Sequence, residues 1–420
     1  MFLWLLFLTI TTTTAYAISF NTIRNELIPT HAADSRLHQV YRRSAASSSS
    51  SNVFNVNDFG GKGDGKDDSQ AFLKAWNKAC STASATLVVP KNMNYLLKPI
   101  TFSGPCKSIT LKIYGTIQAS TDRSDYNKDT RYWLVFQKVQ NFRVEGGGTI
   151  NGNGNIWWKN SCKINTALPC KGAPTAVTFN QCNNLVVNNI RIQDAQQMHL
   201  RFQKCVNVQA LNLVVSAPEK SPNTDGIHVT ETTNIQIANA VIGTGDDCIS
   251  IVSGSQKVTA KNIRCGPGHG ISIGSLGDGN SNAYVSDVVV DTATLSGTTN
   301  GLRIKTYPGG SGIAKNIVFQ NVVMNNVKNP IIIDQGYCDK PTTCKDQKSA
   351  VQISNVLFNN IKGTSSSVVA ITLECSKSYP CQGIKMQDIN LVSASSNGKA
   401  KASCQNVKLA NSGKIVPSCA

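Results

Sequence analysis

Three carboxylates, a histidine and two cations sit at matching places in one repeated phrase. Asp225 opens "DGIHV", Asp247 opens "DCISI", His269 opens "HGISI" and Asn300 opens "NGLRI". The first three openings are 22 residues apart. Behind each opening apolar residues alternate with polar ones, the period of a β-strand. Ile227 and Val229, Ile249 and Ile251, Ile271 and Ile273, and Leu302 and Ile304 should face a core. His228, Ser250, Ser272 and Arg303, between them, should point out. Stacked as neighbouring strands ~4.8 Å apart, the phrases place Asp225, Asp247 and His269 in one column. Asp246 then sits at the turn beside Asp247, and Arg303 and Lys305 leave the same face one rung further on.

Stacked carboxylates repel, so at least one of them should hold its proton more tightly than usual. A single Asp beside glycine reads most simply as a turn former. Three in register with a histidine and an Arg/Lys pair point to chemistry. Two carboxyl roles across one bond is the arrangement of glycoside hydrolysis: an acid protonates the leaving oxygen and a base activates water. Inverting enzymes usually separate the two by ~6.5–9.5 Å, more than adjacent rungs allow. Arg303 and Lys305 suit a substrate carboxylate, the guanidinium in a bidentate way. Taken alone, that pair reads as an ordinary solvated strand face.

The scaffold implied is repetitive. From about residue 140, short Val/Ile runs alternate with Asn, Gly and Ser, as in "NNLVVNNIRIQDA" and "TNIQIANAVIGTG". The leading apolar residues fall at Leu185, Val208, Ile235, Val258, Val285, Ile317, Ile353 and Ile384. A loose period of twenty to forty residues with β-branched runs predicts a β-solenoid. The fold class is therefore all-β, a right-handed parallel β-helix of two or three sheets. Two β-sandwich domains would explain the strands but not the repeat. One helix is predicted, "DSQAFLKAWNKAC" from Asp68 to Cys80, closing the N-terminal end of the solenoid, where a bare sheet edge invites aggregation.

Residues 1–17 end an apolar run in Ala-Tyr-Ala and read as a secretory signal peptide, with a membrane anchor as the competing reading. Residues 18–51 hold Arg42-Arg43 and a serine run, and read as a leader or a disordered linker. Residues 52–420 form the single catalytic domain. Fourteen cysteines in an exported chain predict disulfides. Short separations pair Cys162 with Cys170, Cys248 with Cys265, Cys338 with Cys344, Cys375 with Cys381, and Cys404 with Cys419. Cys182 and Cys205 share a repeat position, which favours a coil-to-coil bond over buried thiols. Cys80 and Cys106 would tie the helix to the first coils. No Cys-x-x-Cys pair supports zinc, and no Asn-x-Ser/Thr acceptor occurs. The formal charge is +17, nearly all beyond the leader. Such a surface favours polyanions. With no aromatic-and-basic nucleic-acid motif, an acidic polysaccharide is the expected partner, not nucleic acid or membrane.

"NTDG" at Asn223–Gly226, "GDD" at Gly245–Asp247, "GHG" at Gly268–Gly270 and "RIK" at Arg303–Lys305 resemble, in order and spacing, the polygalacturonases of glycoside hydrolase family 28. "FNVNDFGGKGDGKDDSQAF" looks like the plant-type members. The resemblance covers nearly everything after residue 52. It implies a pectin-lyase-like β-helix and a secreted, cell-wall hydrolase that cleaves α-1,4-galacturonan in pectin with inversion and without cofactor or metal. It assigns Asp246 as general acid, Asp225 and Asp247 as the water-activating pair, and His269 as the group tuning the acid. It assigns Arg303 and Lys305 as the substrate-carboxylate clamp, Tyr337 in "DQGYC" as a sugar contact, and Asn223 to substrate or turn. A monomer and endo attack are expected. An exo-acting or rhamnogalacturonan-type hydrolase, a pectate lyase and a non-catalytic wall-binding solenoid are the alternatives.

Overall fold

A computed structural model describes residues 52–339, 344–345, 347–394 and 397–419. The proposed signal peptide and leader lie outside the described residues. Every strand pairing among the described residues is parallel. Strands fall into an eleven-stranded sheet, from Ile100–Ser103 to Lys401–Gln405, and a nineteen-stranded sheet. The larger sheet covers two faces of the coil. Thr233–Gly243 pairs with both Val206–Leu211 and Val214–Ser216 of the preceding coil, and bends at Asn239, whose φ is 56°. The molecule is thus the parallel β-helix that the repeat predicts, right-handed as parallel crossovers are.

The bends are written in asparagine, which tolerates the left-handed conformation better than other side-chain-bearing residues. They stack. Asn184 donates to Asn141, Asn207 to Asn184 and Asn234 to Asn207, at 2.7–3.0 Å. A second ladder links Asn212, Asn239 and Asn262, each to its predecessor. Each step satisfies an amide that the turn would leave to solvent, for about 1 kcal/mol net.

Inside, like side chains stack on like. Phe102, Phe136, Phe179 and Phe202 lie face to face at 5.1–5.6 Å between ring centres. Ile227, Ile249, Ile271 and Leu302 follow as one fully buried column, and Val229, Ile251, Ile273 and Ile304 as another. Burying one such side chain contributes ~1.5–3 kcal/mol. Two leading residues need correction. Val258 pairs with Val288, not Val285, and Ile317 with Val356, not Ile353. The strands Asn282–Ser296 and Gln352–Ser365 begin early, and their added buried residues imitate the start of a coil.

The predicted helix spans Ser69–Cys80 and buries Phe72, Ala75, Trp76 and Ala79 over the first coil. Trp76 packs on Phe102, Phe136 and Phe142, and its indole N–H donates to the Ser103 carbonyl. The Cys80–Cys106 disulfide fastens the helix end, and the five short-range disulfides form as spaced. Cys182 and Cys205 do stand on neighbouring rungs but remain buried thiols, against the predicted bond. Their sulfurs turn toward the carbonyls of Phe136 and Phe179 and pack as small apolar groups.

Candidate active site

The chemistry-bearing residues meet on the eleven-stranded face, where the turns entering Ile227–Thr230, Ile249–Ile251 and Ile271–Leu276 come together. Those turns are tightly built. Thr224, fully buried, donates to the Ser221 carbonyl and accepts from the Gly245 N–H, so the turns carrying Asp225 and Asp246 are hydrogen-bonded to each other. A Cβ at Gly245 would stand 2.0 Å from the Ser221 carbonyl oxygen. Gly270 has φ +85°, and a Cβ there would meet the Asn300 oxygen at 2.1 Å. Only glycine lets successive coils approach this closely around His269.

Asp246 is half-buried at the centre. Its Oδ1 accepts from the Asp247 backbone N–H at 2.7 Å and from His269 Nδ1 at 3.0 Å. Its Oδ2 has one long bond, 3.3 Å, from the Asn223 amide. Burial pushes its pKa upward, but the hydrogen bond and charge of His269, the Asp247 N–H and Lys305 outweigh this, and the net direction is down. The Asp246 bond correspondingly raises His269 against its own burial. The two therefore hold one proton between them. Asp246 Oδ2, met only by the long Asn223 bond, is the less occupied of the two carboxylate oxygens.

Asp225, the next carboxylate, has its pKa raised by burial first and then by the negative charge of Asp246. Its Oδ2 accepts from Ser250 at 2.8 Å, while Oδ1 carries no hydrogen bond among the described residues. Asp247 is the most enclosed, with its side chain 2% exposed. Oδ1 accepts from Ser272 Oγ at 2.8 Å and Arg303 Nη2 at 2.8 Å, and Oδ2 from Lys305 Nζ at 3.0 Å. So two points of the sequence reading change. Ser250 and Ser272 occupy the outward column yet are buried beneath carboxylates. Arg303 and Lys305 do reach the site, but their cations turn back onto Asp247 instead of standing free. Three carboxylates at this spacing are tolerable because two cations and a shared proton balance them.

Tyr337 lies beside this cluster. Lys305 Nζ sits 5.2 Å from its ring centre, and Tyr307 packs edge-on against it at 5.2 Å. Asp246, Asp247 and His269 offer donor atoms within 4.8 Å of one another. A divalent cation there would face two cations already bonded to its Asp247 ligand, so the donor set suits acid–base work better than metal binding.

Sequence reasoning missed His199. It is fully buried one rung before Asp225, Nδ1 lying 3.0 Å from the Asp225 carbonyl oxygen and Nε2 3.1 Å from that of Ser216. Its backbone N–H also donates to the Asp225 carbonyl, at 2.8 Å. Burial pushes its pKa down to about 4, against the pull of those carbonyls, so a neutral ring supports the Asp225 turn. The signal was the alternating run "HLRF" that it opens, whose Leu200 and Phe202 stand in register with Ile227 and Val229.

A family model, "Glycosyl hydrolases family 28", matches residues 80–418. "Polygalacturonase QRT2" of Arabidopsis thaliana is 61% identical over 385 residues, covering 91% of this chain and 88% of that protein. A polygalacturonase of Malus domestica is 64% identical over 378 residues, covering 89% and 81%. Among solved structures, an endo-xylogalacturonan hydrolase from Aspergillus tubingensis superposes with a TM-score of 0.75 at 23% identity, over 87% of this chain and all of that one. Endopolygalacturonase I from Stereum purpureum, complexed with two galacturonates, gives 0.60 at 15% identity, over 80% and 97%. These two show the shared β-helix.

Proposed function

This chain belongs to glycosyl hydrolases family 28 and is a glycoside hydrolase, and from that premise we propose that it is a secreted polygalacturonase hydrolysing α-1,4-galacturonosidic bonds of pectin. One observation carries the assignment of roles: Asp246, sharing a proton with His269, stands between a half-free Asp225 and an Asp247 held by Arg303 and Lys305. Asp246, protonated on Oδ2, gives that proton to the glycosidic oxygen as the C1–O bond breaks, while its Oδ1 keeps the hydrogen bond to His269 Nδ1 that steadies the carboxylate left behind. A water attacks C1 from the opposite face, and its proton passes to Asp225. A basic carboxylate accepts it best, and burial and the charge of Asp246 raise the pKa of Asp225. Asp247 orients the water and keeps the two cations in place. Arg303 and Lys305 remain the clamp for a uronate carboxylate, exchanging or sharing Asp247 when substrate enters, with Tyr337 against the sugar and Asn223 aiming the acid. Attack from the face opposite the leaving group inverts the anomeric centre.

The same reading takes residues 1–17 as the export signal, 18–51 as a leader and the cell wall as the destination, with the chain acting as a monomer. Attack within the polymer is favoured, because the carboxylates lie along a sheet face with rungs continuing on both sides. Incubation with polygalacturonate tests this. Reducing ends should appear with mixed oligomers early and short products late, and the new anomer should be inverted by proton NMR. Monomer from the start would mean exo attack, ultraviolet-absorbing unsaturated ends a lyase, and no release at all would reject the substrate.

A further inference from the structure

The outward column that carries Arg303 carries another arginine four rungs earlier, Arg201. Thr178, Arg201, His228, Ser250, Ser272 and Arg303 pair rung by rung along the eleven-stranded sheet. Leu200 and Phe202, on either side of Arg201, are fully buried, so Arg201 faces the cleft floor. Four rungs, ~19 Å at ~4.8 Å each, separate it from Arg303, and the three carboxylates enter between them. Unlike those of Arg303 and Lys305, the Arg201 side chain makes no hydrogen bond and no ion pair among the described residues, and its Nε is buried without a partner. Thr178 Oγ1 on the preceding rung and Asn180 Oδ1 on the same face are buried and unpartnered too. A buried N–H donor with no acceptor is costly, and such groups ask for an explanation.

The two ends of the floor differ in charge. Beyond Arg303 the column continues as Ile332 and Thr372, and beyond Lys305 as Asp334 and Glu374. A polyanion meets no further cation on these columns there. On the Arg201 side, the recess that includes Asn223 is also lined by Arg123 and Lys171.

We infer that Arg201 binds the carboxylate of a second uronate, on the side of the catalytic carboxylates away from Arg303, so that unesterified uronates are required on both sides of the cleaved bond. This rests on the galacturonan reading above and adds to it a specificity-determining residue. A guanidinium reads a free carboxylate by paired charge-assisted bonds and loses them to a methyl ester.

Calorimetric binding of oligogalacturonates to the Asp246→Asn protein tests it without turnover. Arg201→Ala and Arg201→Gln, added to that background, should weaken a hexamer about tenfold or more and leave a dimer unchanged. Arg201→Lys should recover part of the loss with a steeper dependence on salt. In the Asp246-intact enzyme Arg201→Gln should raise KM on polygalacturonate while holding kcat. Equal hexamer binding with and without Arg201, or equal losses for dimer and hexamer in variants with unchanged melting, would overturn the inference. A parent protein that binds no galacturonate at all would instead reject the substrate, and this inference with it.

Discussion

His199 lends itself to a quantitative test, because its neutrality is linked to stability. The imidazole is fully enclosed, and burial depresses its pKa from 6.5 to about 4. Between those values the unfolded chain binds a proton that the folded one refuses. Stability therefore rises with pH through this window and is lost as pH falls toward 4. Applying one pKa unit as 1.36 kcal/mol, the wild-type protein should lose about 2 kcal/mol from this group between pH 7 and pH 5. By pH 4 the loss should reach about 3 kcal/mol. His199→Gln keeps an amide donor for the Asp225 carbonyl and removes the titration. At pH 7 the variant should be less stable, since the ring fills its space. Urea unfolding of both proteins from pH 4 to 7 gives the difference at each pH, cancelling the carboxylates they share. That difference should shrink by about 3 kcal/mol on acidification. A constant gap would mean that His199 is protonated in the folded state and that the Asp225 turn is supported in another way.

Asp246→Asn should cut kcat on polygalacturonate at least about a hundredfold with folding intact, the low end for general acid catalysis, and near-normal turnover would remove Asp246 from that role. Activity should fall as pH rises through the raised pKa of His269, where the shared proton is lost; in His269→Ala that alkaline limb should move to lower pH, as pH–rate profiles of kcat would show. Lys305→Ala should weaken substrate binding most at low salt, and it should also loosen Asp247, visible as a lower urea midpoint; a pure kcat effect would contradict the clamp. Alkylation after denaturation without reduction should label Cys182 and Cys205 and no other cysteine, whereas a linked Cys182–Cys205 peptide would restore the coil-to-coil bond.

The column of Asp225, Asp247 and His269 over alternating apolar pairs was legible because strand periodicity and parallel stacking are local rules, repeated at a constant 22-residue step. The same rules placed Cys182 beside Cys205 and Arg303 above Ser272. They did not say what those side chains would do there. Cys182 and Cys205 stay thiols whose sulfurs reach backbone carbonyls, and Val285 and Ile353 are core residues of early-starting strands that periodicity alone cannot tell from a coil's first residue. Arg303 and Lys305, read as an outward clamp, bend to a carboxylate 56 and 58 residues away in sequence, because an anion that burial has stripped of water must be paired. His199 opens one more alternating run, but its role rests on enclosure and on the Asp225 carbonyl one rung away. Backbone register follows from spacing along the chain. Partner choice, burial and the proton held by Asp246 and His269 depend on distances between coils, and these exist only once the solenoid has closed.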